Sequence, residues 1–184
     1  MSARRVLRAA VLAAATVAAG PASAQPVAEP SEYREDPYRA PVPATLSGAT
    51  VVDDDAAYAL WKTGRVAFVD VFPQAPKPAN LPEGTIWRDK PRISIPGAIW
   101  VPNVGYGRIA PETEAYFRRG LDLATGGDPD HPVVFFCLAE CWMSWNAAKR
   151  ALEYGLTNVF WYPEGTDGWA FFEFPMEEVP RQPE

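Results

Sequence analysis

Four apolar residues in a row, Val133-Val134-Phe135-Phe136, followed at once by Cys137, set the folding problem for this chain. A strand with no polar face has to be covered on both sides, the situation of a parallel sheet flanked by helices. Val66-Ala67-Phe68-Val69-Asp70-Val71 repeats the pattern and carries one carboxylate near its end. Shorter strands are expected at 49–52, within 95–102 and at 158–162. Helical segments fall between them. Residues 53–62 offer aspartate caps and an apolar face of Ala57, Leu60 and Trp61, and Gly64 stops them. Residues 111–124 open with a proline and place acids in the first turn and arginines later. Residues 143–154 end at Gly155. The alternation predicts an α/β fold: a five-stranded, mainly parallel sheet with helices on both faces. The proline-rich stretch 73–91 is expected as a long functional or flexible loop.

The ends of the chain read differently. Arg4, Arg5 and Arg8, the apolar run from Ala9 to Gly20, and Ala22-Ser23-Ala24 have the form of a secretory signal peptide over 1–24. The apolar run is too short to span a bilayer. A periplasmic location is therefore expected, with no membrane span after signal removal. Residues 25–47 hold Pro26, Pro30, Pro37, Pro41 and Pro43 and are expected to be an extended arm or linker. The domain is expected over 48–172, with 173–184 as a C-terminal tail. Loss of the three leader arginines moves the net charge from −6 to −9, which argues against nucleic acid as a partner.

Chemistry concentrates in Cys137-Leu138-Ala139-Glu140-Cys141-Trp142-Met143-Ser144. Cys137 is predicted at the carboxyl end of a buried strand, just before a helix, where ligands of open parallel sheets bind. Backbone N–H groups at such a junction favour a thiolate, a persulfide or a bound anion. Cys137 and Cys141 are the only cysteines, and two thiols on one short loop can exchange between dithiol and disulfide. A bridge this local would staple little, which favours a reactive role. Cys137 is expected to be the attacking thiol and Cys141 the resolving one. Leu138, Ala139, Glu140, Trp142, Met143 and Ser144 would form the binding loop, with Asp70 as a supporting carboxylate or a turn cap. Trp142 and Trp145 would shield the sulfurs, form a docking face or pack in the core. No cofactor is expected beyond a Cys137–Cys141 disulfide. His131, the only histidine, reads as a solvated turn residue, and no metal site is expected.

The span from about Gly48 to Trp169 resembles a rhodanese domain. Val69-Asp70-Val71, Ser94-Ile95-Pro96-Gly97-Ala98-Ile99, Phe135-Phe136-Cys137, Asn158-Val159-Phe160, Glu164-Gly165 and Trp169 carry the resemblance. With the leader and the Cys-x3-Cys-Trp loop, the whole resembles the CxxxCW-motif family associated with PQQ-dependent alcohol catabolism. That resemblance implies a PQQ-dependent dehydrogenase or its cytochrome as a partner. Rhodanese loops usually carry an arginine close after the cysteine, whereas Leu138 to Ser144 contains no basic residue and includes Glu140. Phosphatase activity, which needs a guanidinium clamp on its oxyanion, is excluded on this ground. Three readings stay open: a periplasmic thiol redox protein accessory to PQQ-dependent alcohol oxidation, a sulfurtransferase working through a Cys137 persulfide, and a non-catalytic binding module for a quinoprotein dehydrogenase, a cytochrome or a metal.

Overall fold

A computed structural model describes residues 27–183. The leader expected over 1–24 lies outside the described residues. Strands β1 (Thr50–Val51), β2 (Ala67–Asp70), β4 (Ile99–Trp100), β5 (Val133–Phe136) and β6 (Val159–Tyr162) form one five-stranded sheet in the order β1-β6-β5-β2-β4. Every pairing in it is parallel. The remaining two strands, β3 (Arg92–Ser94) and β7 (Glu177–Val179), form a separate antiparallel pair. The helices are α1 (Asp54–Lys62), α2 (Pro111–Thr125), α3 (Trp142–Glu153) and α4 (Gly165–Phe171). This is the expected α/β architecture, with every pair in the main sheet parallel.

The apolar run of β5 is resolved by alternation. Val133 and Phe135 join one core with Phe117, Trp145 and Trp161, beneath α2 and α3. Val134 and Phe136 join the other with Ala57, Tyr162 and Trp169, beneath α1 and α4. All four β5 side chains are fully buried, each contributing about 1.5–3 kcal/mol of burial. Asp53 caps α1 by accepting from the Ala56 N–H, and α2 ends at Gly126 in the left-handed conformation.

Three features depart from the sequence reading. The segment 27–47 is extended, as its prolines require, but it is bound to the domain rather than linking to it. Leu46 lies in the core, with Val27, Tyr38, Ala40 and Val42 packed against it. The Asn146 side chain accepts from the Arg34 N–H and donates to the Arg34 carbonyl, and the Trp145 indole donates to the Thr45 carbonyl. The tail is also engaged: β7 pairs with β3, and Gln182 N–H donates to the Trp100 carbonyl at 2.8 Å. Finally, α4 was not expected. Gly165 and Gly168 give it poor helix propensity, and the burial of Trp169 overrides that cost. Among the described residues, no helix is long and apolar enough to cross a membrane.

Candidate active site

The loop 137–141 joins the carboxyl end of β5 to α3. Cys137 follows the last β5 residue, and Cys141 is the N-cap of α3. The loop closes tightly because Glu140 adopts a left-handed φ of 50°, a conformation costly for a side chain with a Cβ. Their sulfurs come to 2.6 Å from each other. That is far inside non-bonded sulfur contact and longer than the roughly 2.05 Å of a disulfide. Both side chains are buried, Cys137 at 0% and Cys141 at 4% relative exposure.

Their surroundings are unequal. Cys141 is lowered from 9.0 to about 7, chiefly by the hydrogen bond from Cys137 and further by the backbone N–H groups of Met143, Leu138 and Ser144. Met143 and Ser144 lie in the first turn of α3, where the helix dipole also favours a thiolate. Burial pushes Cys137 well above 9.0, and the neighbouring Cys141 and Asp70 charges push the same way. The expected order is thus reversed: Cys141, not Cys137, is the readily ionised thiol. The amide cradle expected around the strand end is centred one loop later, on the helix cap.

Asp70 sits at the end of β2, fully buried. One oxygen accepts from Arg92 Nε at 2.7 Å and from Ser94 Oγ at 2.6 Å, and the other from the Phe72 N–H. Burial still raises its pKa against these three partners. Arg92 also donates to Thr166 Oγ1, whose hydroxyl and N–H both donate to the Cys137 carbonyl. Asp70 therefore supports the loop through a chain of contacts, and its carboxylate is both a local turn cap and a structural partner.

The remaining loop residues divide by role. Ala139 N–H donates to Asp167, which also pairs with Arg39 at 3.6 Å. Leu138 is half-buried and Glu140 exposed. Ser144 donates to the Cys141 carbonyl and accepts from the Trp161 indole. Met143 is buried, with its carbonyl against Gly105. Trp142 and Trp145 are buried as well, so neither forms an exposed docking face. Trp142 donates through its indole to the Pro41 carbonyl and lies under the Arg34 guanidinium.

The arm supplies what sequence reasoning missed. Arg39 and Cys141 form an antiparallel bridge. Ala40 N–H donates to the Glu140 carbonyl, and Trp142 N–H to the Tyr38 carbonyl. Tyr38 meets Tyr106 edge-to-face at 5.2 Å, and Tyr106 feels the Cys141 charge. Tyr106 also lines a cavity of about 470 Å³ with Phe72, Trp87, Trp100 and Arg92, beneath the 73–91 loop. Nothing local marks Arg39 or Tyr38 in the sequence, because their role depends on a contact about a hundred residues away. Gly165 was legible as part of the rhodanese-like pattern, and its reason is now visible. At φ 54° it passes so close that a Cβ there would lie 2.5 Å from the Cys137 carbonyl oxygen.

Comparison with known proteins supplies a family frame. The family model for the Rhodanese-like domain matches residues 54–171. No curated protein matches the chain. Among solved structures, the thiosulfate sulfurtransferase of Pseudomonas aeruginosa superposes with a TM-score of 0.48 at 20% identity, over 73% of this chain and 21% of that one. The polysulfide-sulfur transferase homodimer of Wolinella succinogenes gives 0.44 at 16% identity, over 72% and 81%. EanB carrying T414A in complex with hercynine gives 0.48 at 25% identity, over 77% and 34%. The chain thus spans about a fifth of the length of the first of these proteins.

Proposed function

Because this chain belongs to the Rhodanese-like domain family, matched over residues 54–171, we propose that its cysteine pair handles sulfane sulfur. The observation that carries this reading is the placement of two sulfurs 2.6 Å apart where a buried strand meets a helix start. One of them, Cys141, is held near pKa 7. A thiolate there attacks the outer sulfur of a sulfane donor, forms a cysteine persulfide and releases the remainder of the donor as an anion. The loop itself holds no cation, and Glu140 is exposed beside it. A dianionic donor such as thiosulfate is therefore disfavoured against a monoanionic one.

The test uses an arenethiosulfonate, ArSO2S⁻, whose attack by a thiolate leaves a sulfinate. Reduced full-length protein should release about one sulfinate per chain and do so faster than it releases sulfite from thiosulfate. Cys141→Ala should lose most of that rate. Absence of sulfinate from the wild type, or an equal rate from the Cys137→Ala/Cys141→Ala double variant, overturns the reading.

A redox reading is favoured by the same sulfur contact, since dithiol–disulfide exchange needs only that pair. The periplasmic setting and an accessory role in PQQ-dependent alcohol oxidation, with a quinoprotein dehydrogenase or its cytochrome as partner, rest on the Cys-x3-Cys-Trp loop and the leader. Co-purification with such a dehydrogenase from periplasmic extract tests them.

A further inference from the structure

Resting on the sulfane-sulfur reading above, we infer that the loop is a sulfide-releasing device: Cys141 takes the sulfane sulfur, and Cys137 then expels it as hydrogen sulfide, leaving a Cys137–Cys141 disulfide. A persulfide offers two electrophilic sulfurs. Attack on the outer one passes the sulfur onward; attack on the inner one expels it. In a persulfide on Cys141 the inner sulfur is Cys141 Sγ, and Cys137 Sγ lies 2.6 Å from that atom. The built-in nucleophile therefore touches the atom whose attack gives expulsion.

The two cysteines differ in the way the first step requires. Cys141 is the better thiolate and retains slight exposure, whereas Cys137 is fully buried and holds its proton. The first step is attack of the Cys141 thiolate on the donor, forming one S–S bond and breaking the bond to the leaving group. In the second step the Cys137 Sγ–Cys141 Sγ bond forms and the bond from Cys141 Sγ to the transferred sulfur breaks. The Cys137 proton passes to the outer persulfide sulfur, Cys137 Sγ attacks as the thiolate so formed, and the departing sulfur leaves as hydrosulfide, HS⁻. The transferred sulfur gains two electrons, and the two cysteine sulfurs together lose two. An external dithiol reductant returns the disulfide to the starting pair.

Burial points the same way. The arm covers the loop through the Arg39–Cys141 bridge and the Tyr38 and Ala40 backbone bonds. Donor, reductant and any external acceptor must all pass that cover, whereas Cys137 needs no passage, being already in contact with Cys141 Sγ. Close approach of Gly165 and Thr166 behind the Cys137 carbonyl holds that residue in place.

The experiment mixes reduced full-length protein, freed of added thiol, with a limiting arenethiosulfonate and follows sulfinate, sulfide and intact mass. Wild type should release sulfinate and sulfide in equal amounts and end lighter by the two thiol hydrogens. Cys137→Ser should release sulfinate, lose essentially all sulfide and end heavier by one sulfur atom. Cys137→Ala, which buries no hydroxyl, should behave alike and stands in if the serine variant does not fold. Wild-type protein that keeps the added sulfur and releases no sulfide overturns the inference while leaving sulfur uptake intact. So does sulfide release from the Cys137 variants at the wild-type rate. Absence of sulfinate from the wild type overturns the sulfane-sulfur reading itself, and this inference with it.

Discussion

Cys137 and Cys141 are the same side chain shifted in opposite directions by their neighbours. Helix-start amides and a donated hydrogen bond act on one; full burial acts on the other. Alkylation of the reduced protein across pH should therefore show one thiol reacting with a midpoint near 7 and a second that stays slow. Cys137→Ala removes the largest cause of the lowering, so the Cys141 midpoint should climb back toward 9.0, as read by iodoacetamide rates. Asp70 presents the converse case, a carboxylate raised by burial in spite of Arg92. Arg92→Met leaves that charge buried without its ion partner and should cost about 3–5 kcal/mol in urea unfolding near neutral pH. The loss should shrink as pH falls, because protonation of a raised carboxyl removes the buried charge. The sequence named both cysteines and Asp70 by position. It did not disclose the order of the thiols, because that order depends on which sulfur the amides of Leu138, Met143 and Ser144 converge on.

Strands β2 and β5 and helix α3 were legible because each carries its whole pattern locally: an unbroken apolar run, or an apolar face closed by Gly155. Helix α4 was not, since its two glycines argue against a helix and only the packing of Trp169 overrules them. The β3–β7 pair and the arm were not legible for a different reason. Their partners lie far along the chain, and no periodicity within Arg92–Ser94 or residues 27–47 announces them. Two substitutions test these elements. Gly165→Ala should push α4 off the Cys137 carbonyl and cost about 1–3 kcal/mol, read as a lowered melting temperature with slower sulfinate release. Ala40→Pro deletes the N–H that donates to the Glu140 carbonyl. It should leave the sheet intact while raising the alkylation rate of Cys141 several-fold, because the cover opens.

At the scale of the molecule, the thiol pair writes a signature into stability against pH. Cys141 ionises more easily folded than unfolded, so its contribution is present above pH 9.0 and is lost as pH falls through about 7. Cys137 is raised by folding, so stability is lost as pH climbs above 9.0. In reductant, the pair's contribution should rise from pH 7 to 9 and decline beyond. Urea titrations across that range should show it, and the disulfide form, with no thiol to titrate, should show neither slope. The arm adds a dimension of time. The Trp142 indole reaches the Pro41 carbonyl across 101 residues of chain, whereas the Cys137–Cys141 contact spans four. Short loops close far sooner than long ones. The sulfurs are thus expected to meet before the arm closes over them. On that order a newly made chain would pass through an interval in which any oxidant present could set the state of the pair before the arm guards it.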